Sequence, residues 1–291
     1  MRIQYLILIP MIGLAVGKVL LQGVISRNYL KNPTDSALYN LIIFSSMAVL
    51  YFIFGGFRLP TLHILSYGIP YGLLIAGFQI FYTLALQRGP VSHTVLIVTF
   101  NIAFAISFGV LYCGEEITML HIIGLTCIFL SLLLTIDFKQ AKQHKFDLIW
   151  FLESVLAMSM NGIASIVVKL QKLTYPEEDM GMLLVAYVSG ACALFLIIRY
   201  FTVVRKQPKM LALNSSRLMM ILSCSVLLGC YLLLYSIGVG TISSVVFFPV
   251  VNIAPSTLLS LLGILVFKDR LTRQQVISML FGIAATVLLC L

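Results

Sequence analysis

Charge is scarce in this sequence, and acidic charge scarcest: Asp and Glu together number 10 and Lys and Arg 19, so only 10% of 291 residues are charged while 60% are apolar. Soluble domains carry charge on roughly a quarter of their residues, and a mean hydropathy of +1.06 excludes that class. Cysteine is sparse too. Cys113, Cys127, Cys192, Cys224, Cys230 and Cys290 form no CxxC pair, and the four histidines are scattered. That pattern argues against a disulfide framework or a metal cluster, and no cofactor is expected. Long polar stretches are missing as well, which leaves no room for an extramembrane catalytic or nucleic-acid-binding domain. The net charge of +9 is therefore expected beside lipid headgroups rather than on a nucleic acid. The partners implied by composition are membrane lipids; oligomeric state is not legible.

What is present is a series of apolar runs long enough to cross about 30 Å of hydrocarbon. They recur near residues 4–26, 36–56, 66–87, 90–112, 118–136, 148–170, 182–204, 217–237, 241–267 and 274–291. Uniform apolarity rather than period-two alternation predicts helices instead of an outer-membrane barrel. The expected fold class is an all-α integral membrane protein of ten transmembrane helices. The first run starts like a signal peptide but continues through Lys18 and Gln22 without a cleavage pattern, and reads as a retained helix.

The sequence also repeats a phrase. Gly89 is followed twelve residues on by Asn101-Ile102-Ala103, and Gly240 twelve residues on by Asn252-Ile253-Ala254. Glu115-Glu116-Ile117-Thr118 and Asp269-Arg270-Leu271-Thr272 then open the last run of each half. The reading is a first five-helix repeat at 1–136, a linker at 137–147 and a second repeat at 148–291. An odd number of crossings per unit makes the second copy enter from the opposite side, so the repeats are inverted, as in many secondary transporters. Thr118 and Thr272 are placed to cap the final helix of each unit. Most basic loop residues fall on the face opposite the termini, which by the positive-inside rule predicts a cytoplasmic linker.

The five-plus-five layout, the Gly-Pro-Val-Ser run at 89–92 echoed by Gly-Thr-Ile-Ser at 240–243, and the Gly114-Glu115-x-Ile117-Thr118 ending resemble the drug/metabolite transporter superfamily, in particular its ten-helix EamA-type branch. That resemblance implies a polytopic plasma-membrane carrier of small metabolites, with a small-molecule substrate as partner, rather than an enzyme. It also implies a central cavity lined by helices one, three, four, six, eight and nine, and cytoplasmic termini, against the charge distribution. Asn161-Gly162-Ile163-Ala164-Ser165 before Lys169 further resembles the first helix of small multidrug resistance proteins, with a neutral Asn where those carry a carboxylate. Drug/proton exchange through that position is therefore not expected.

Candidate cavity residues are the polar groups that a bilayer tolerates only against a partner or water. Lys18 and Glu153, on equivalent helices of the two halves, are expected either to approach each other as a gate or substrate-charge site, or to snorkel separately to headgroups. Asn101 and Asn252 sit near mid-span, with Ser256 and Ser260 extending the Asn252 stripe and Pro249 and Pro255 freeing carbonyls beside it. Gln22, Gln79, Asn161 and Tyr231 complete the set, while Tyr82 and Tyr235 read as belt residues at the membrane boundary. Gly13, Gly17, Gly72 and Gly77 read as sites of close helix packing. The function expected is alternating-access transport of a small polar metabolite such as an amino acid, the alternatives being a non-transporting scaffold or a membrane-embedded enzyme.

Overall fold

A computed structural model describes residues 3–29, 33–88, 94, 97–134, 147–203, 214–265 and 273–290. Within them every element is a helix. A 3₁₀ turn at Ile3–Ile7 leads into α1 (Leu8–Tyr29), followed by α2 (Pro33–Phe54), α3 (Leu62–Arg88), α4 (Ile102–Leu111) and α5 (Met119–Leu134). The second half holds α6 (Leu148–Thr174), α7 (Asp179–Val203), α8 (Ser215–Thr241), α9 (Ser244–Leu265) and α10 (Arg273–Cys290). Six helices, α1, α2, α3, α6, α7 and α8, are long and apolar enough to cross a membrane; α4, α5, α9 and α10 offer shorter apolar stretches among the described residues.

Contacts between helix ends define the two ends of the bundle. At one, which also holds the N-terminus, the α2–α3, α4–α5, α6–α7 and α8–α9 turns lie together: Thr61 donates to Glu178 at 2.6 Å, and Glu115 reaches Ser243 and Ser244. At the other, the end of α3 meets the start of α6, where Arg88 pairs with Glu153. The tightest helix pairs are α3 with α6 and α7, α2 with α7, and α5 with α10. Helix α1 packs on α8 and α9, α8 on α2, and α4 on α6 and α9.

Small residues permit the closest approaches. A Cβ at Gly72 would lie 2.1 Å from the Ala186 carbonyl, and one at Gly77 2.6 Å from Met160 Sδ, so both glycines serve α3 as expected. Gly17 is in ordinary contact with Leu227, whereas a Cβ at Gly13 would meet open space among the described residues. Helices α5 and α10 are joined instead by serine: Ser131 Oγ donates to the Ser278 carbonyl at 2.8 Å and Ser278 Oγ to the Ser131 carbonyl at 2.9 Å. The expected cap at Thr118 is present. Its hydroxyl accepts from the His121 amide at 3.3 Å, and His121 Nδ1 accepts from the Thr118 amide at 3.3 Å, a capping box with histidine as the reciprocal partner. Thr272 lies outside the described residues.

Candidate functional site

The polar chemistry of the bundle gathers around α6. Glu153, Asn161, Ser165 and Lys169 lie on one i, i+4 ridge with Ala157 between them, and such a ridge winds slowly around a helix past successive neighbours. Its outer members are sixteen residues apart, about 24 Å at helical rise.

At the N-terminal end of the bundle the ridge finishes in a closed network. Lys169, 7% exposed, places Nζ 3.1 Å from Glu115 Oε1 and 3.1 Å from the Val239 carbonyl. The Glu115 carboxylate also accepts from Ser243 Oγ at 2.9 Å, Ser244 N at 2.6 Å, Ser244 Oγ at 2.9 Å and Val245 N at 3.3 Å. It thus sits on the first turn of α9, where free amides and the helix dipole favour an anion. Local backbone chemistry aims it there. Gly114 turns left-handed at φ +67°, so Tyr112 N–H bonds Phe108 O at 2.9 Å and Glu115 N–H bonds Gly109 O at 3.0 Å, closing α4 as a glycine-terminated helix does. Gly109 is small of necessity, because a Cβ there would stand 2.7 Å from both Glu115 Oε2 and Ser244 Cβ. Burial pushes the Glu115 carboxyl up, but Lys169 and the two serines outweigh it and hold the group below its ordinary range.

Midway along the ridge lies an aromatic hydroxyl cluster. Tyr235 of α8 is hydrogen-bonded to Ser165 and packs edge-on against Phe247 at 5.2 Å between ring centroids, with Tyr231 6.0 Å away one turn earlier. Tyr71 of α3, buried, stands within electrostatic reach of Tyr187, Tyr231 and Tyr235. Tyr235 is therefore no belt residue: three aromatic contacts with α8 and α9 hold it inside the bundle. Asn161, half-buried, precedes Ser165 by one turn, and its carbonyl accepts the Ser165 hydroxyl at 3.1 Å.

At the far end the ridge begins with Glu153, and here the expected pairing fails. Its partner is Arg88 of α3, with Nε 3.5 Å from Oε1, because the tight α3–α6 packing brings the last residue of α3 onto the second turn of α6. Lys18 lies instead along α8, where the Cys224 thiol approaches its backbone carbonyl at 3.9 Å and Tyr39 O–H lies 3.3 Å from the same sulfur. Among the described residues Lys18 enters no ion pair.

The remaining candidates are dispersed. Gln79 lines a pocket of about 40 Å³ with Ser36, Asn40 and Thr83, between α2, α3 and α7 and away from the tyrosine cluster. Gln22 is half-buried on α1. Asn101 is buried at the residue preceding α4, without a side-chain capping bond. Asn252 is exposed on α9 and turns its amide onto its own helix, donating to the Phe248 carbonyl at 2.7 Å. The side chains of Ser256 and Ser260 lie outside the described residues. Sequence reading missed Glu115, Lys169, Ser244, Arg88, Ser165 and Tyr71 as site residues. The available signal was the Gly114-Glu115 ending itself, an acid beside a turn glycine at the close of an apolar run.

Residues 3–137 match the model of the EamA-like transporter family. No curated protein matches the chain. Among solved structures, one crystal structure of a protein with 14% identity superposes at a TM-score of 0.73 over 98% of this chain and 95% of that one. At such identity the likeness concerns the fold alone.

Proposed function

This chain belongs to the drug/metabolite transporter superfamily through its EamA-like first half, and from that premise we propose that it is a multi-pass plasma-membrane carrier. It moves a small polar metabolite, such as an amino acid, by alternating access between two inverted five-helix repeats. The observation that carries this reading is the polar ridge of α6. In a helix apolar enough to span a bilayer, Lys169, Glu153 and Ser165 of this ridge meet protein partners, and the half-buried Asn161 between the two ion pairs is the side chain that supports contact with water or a solute.

The pattern of helix contacts supports the inverted repeat. Exchanging α1–α5 with α6–α10 turns the α3–α6 pair into α8–α1, α3–α7 into α8–α2 and α4–α6 into α9–α1, and each product is itself a contact. The pairs α2–α7, α4–α9 and α5–α10 map onto themselves, as they do about a two-fold axis between the halves. Such an arrangement permits one half to rock against the other around a fixed centre.

In this reading the substrate meets Asn161, Ser165, Tyr231, Tyr235 and Tyr71. Amide and phenol groups of this kind hydrogen-bond a neutral or zwitterionic solute, and their aromatic faces cover its apolar part. The Glu115–Lys169–Ser244 network closes the N-terminal end, and opening withdraws Glu115 from α9. Reconstitution into liposomes tests the proposal: time-dependent uptake of at least one radiolabelled amino acid, competed by its unlabelled form and reduced at least about tenfold by Asn161→Leu or Ser165→Val, is the expected outcome. Failure of every polar metabolite tried to accumulate above empty liposomes, with the protein correctly folded, removes the carrier reading.

A further inference from the structure

We propose that Glu153 is a proton-binding site, filled and emptied against Arg88 at the far end of the bundle. The two acidic networks of α6 differ in one respect. Both Glu115 oxygens are saturated with donors, whereas Glu153 is 7% exposed and its Oε2 is buried with no hydrogen-bond partner among the described residues. Its other oxygen holds Arg88 at 3.5 Å, beyond good hydrogen-bond geometry, and the arginine side chain is 42% exposed. A buried carboxylate oxygen left bare is an unfavourable arrangement, and binding a cation relieves it.

A proton fits this position and a metal ion does not. Alkali and alkaline-earth ions gather several oxygen ligands, but the neighbouring hydroxyls are engaged: Ser154 Oγ donates to the Trp150 carbonyl at 2.9 Å, and Thr94 Oγ1 accepts Trp150 Nε1 at 2.8 Å. The guanidinium beside Glu153 also repels a second fixed cation. The charges acting on Glu153 are Arg88 from α3 and Asp147 from the residue before α6. Asp147 caps α6, accepting from the Ile149 amide at 2.8 Å, and helices α4 and α8 add no charge to it among the described residues. Protonation forms one O–H bond on Glu153 and breaks one in the hydronium ion that donates the proton, which is left as water. Arg88 keeps its charge throughout and is released to solvent, so the α3–α6 contact loosens at this end when the proton is bound and tightens when it leaves.

The chain carries its own reporter. Trp150 is the one tryptophan in the sequence, buried and one turn before Glu153. Its fluorescence is followed in the full-length protein in lipid nanodiscs from about pH 4 to about pH 9, a span covering carboxylate and imidazole titration. The expected result is a single transition that Glu153→Gln abolishes, Glu177→Gln leaves in place, and Arg88→Gln moves to higher pH, because the cation favouring the carboxylate is gone. A flat wild-type trace, or a transition that persists in Glu153→Gln, overturns the proposal. Should Glu153→Gln fail to fold, Arg88→Gln and Glu153→Asp decide: a transition unmoved in both overturns it, a shifted one supports it. No solute is present, so a protein that transports nothing can still titrate and a proven carrier can fail to; the two readings fall separately.

Discussion

Glu115 illustrates how one side chain acquires a role from its surroundings. Lys169, two serine hydroxyls and the first amides of α9 converge on its two oxygens, and each of these donors is left without its acceptor charge if the carboxylate is neutralised. Breaking one member of a buried pair leaves the other charge uncompensated, so Glu115→Gln is expected to destabilise the protein by about 3 kcal/mol, read as a lowered Tm in detergent. Because the folded protein holds this carboxyl below its unfolded value, its contribution is complete above the ordinary carboxylate range and is lost as pH falls through the lowered value. The Tm of the wild type is therefore expected to drop toward acid pH more steeply than that of Glu115→Gln. Parallel curves would show that the network contributes nothing to stability.

At the scale of elements, glycine position decides which helices approach closely. Gly72 faces the Ala186 carbonyl and Ser189 Oγ, and Gly190 on the same helix pair abuts the Gly72 carbonyl and the Phe44 ring. A methyl group at Gly72 has to displace backbone of α7, which rigid helices resist. Gly72→Ala is accordingly expected to lower Tm by several degrees, while Gly13→Ala, entering open space, leaves it unchanged or raises it through helix propensity. Equal effects of the two substitutions would refute the packing account of α3 and α7. Helix α9 is the contrasting case. Pro249 and Pro255 lie inside it and each removes a backbone donor, yet the helix runs on, with Asn252 occupying the Phe248 carbonyl from its own side chain.

For the whole molecule, the closure proposed for the Glu115 network has directional access as its consequence. With a single cysteine introduced at Asn161 in an otherwise cysteine-free protein, a membrane-impermeant maleimide added from the N-terminal side is expected to react at least about fivefold faster in Glu115→Gln than in its parent. Reaction from the opposite side should slow or stay the same. Equal acceleration from both sides would mean that the substitution merely loosens the bundle, and the closure assigned to Glu115 would be withdrawn. Net charge and loop basicity bear on orientation at this scale, and labelling of the two faces in intact cells decides between the basic-loop expectation and the cytoplasmic termini that the family resemblance implies.

The helices and their approximate limits were legible because hydropathy is a local property: a run apolar all round can satisfy its backbone in lipid only as a helix. Turn chemistry was equally local, and the Thr118 cap followed from a hydroxyl at the start of a run. Family likeness was readable from the Gly114-Glu115 ending and its spacing, and Asn161 and Tyr231 were legible as polar groups that a bilayer does not tolerate alone. What no linear reading supplied was partnership. Glu153 took Arg88 rather than Lys18, Tyr235 turned inward onto Phe247, Gln79 faced α2 and α7, and Glu115 reached α9 some 129 residues further along the chain. Which buried charge meets which depends on the azimuth at which each helix packs, and that angle is set by glycines and ridges on neighbouring helices. Composition thus determined that this chain is a bundle for lipid; only tertiary packing decided where that bundle is polar, which charges pair, and which acid has an oxygen without a partner among the described residues.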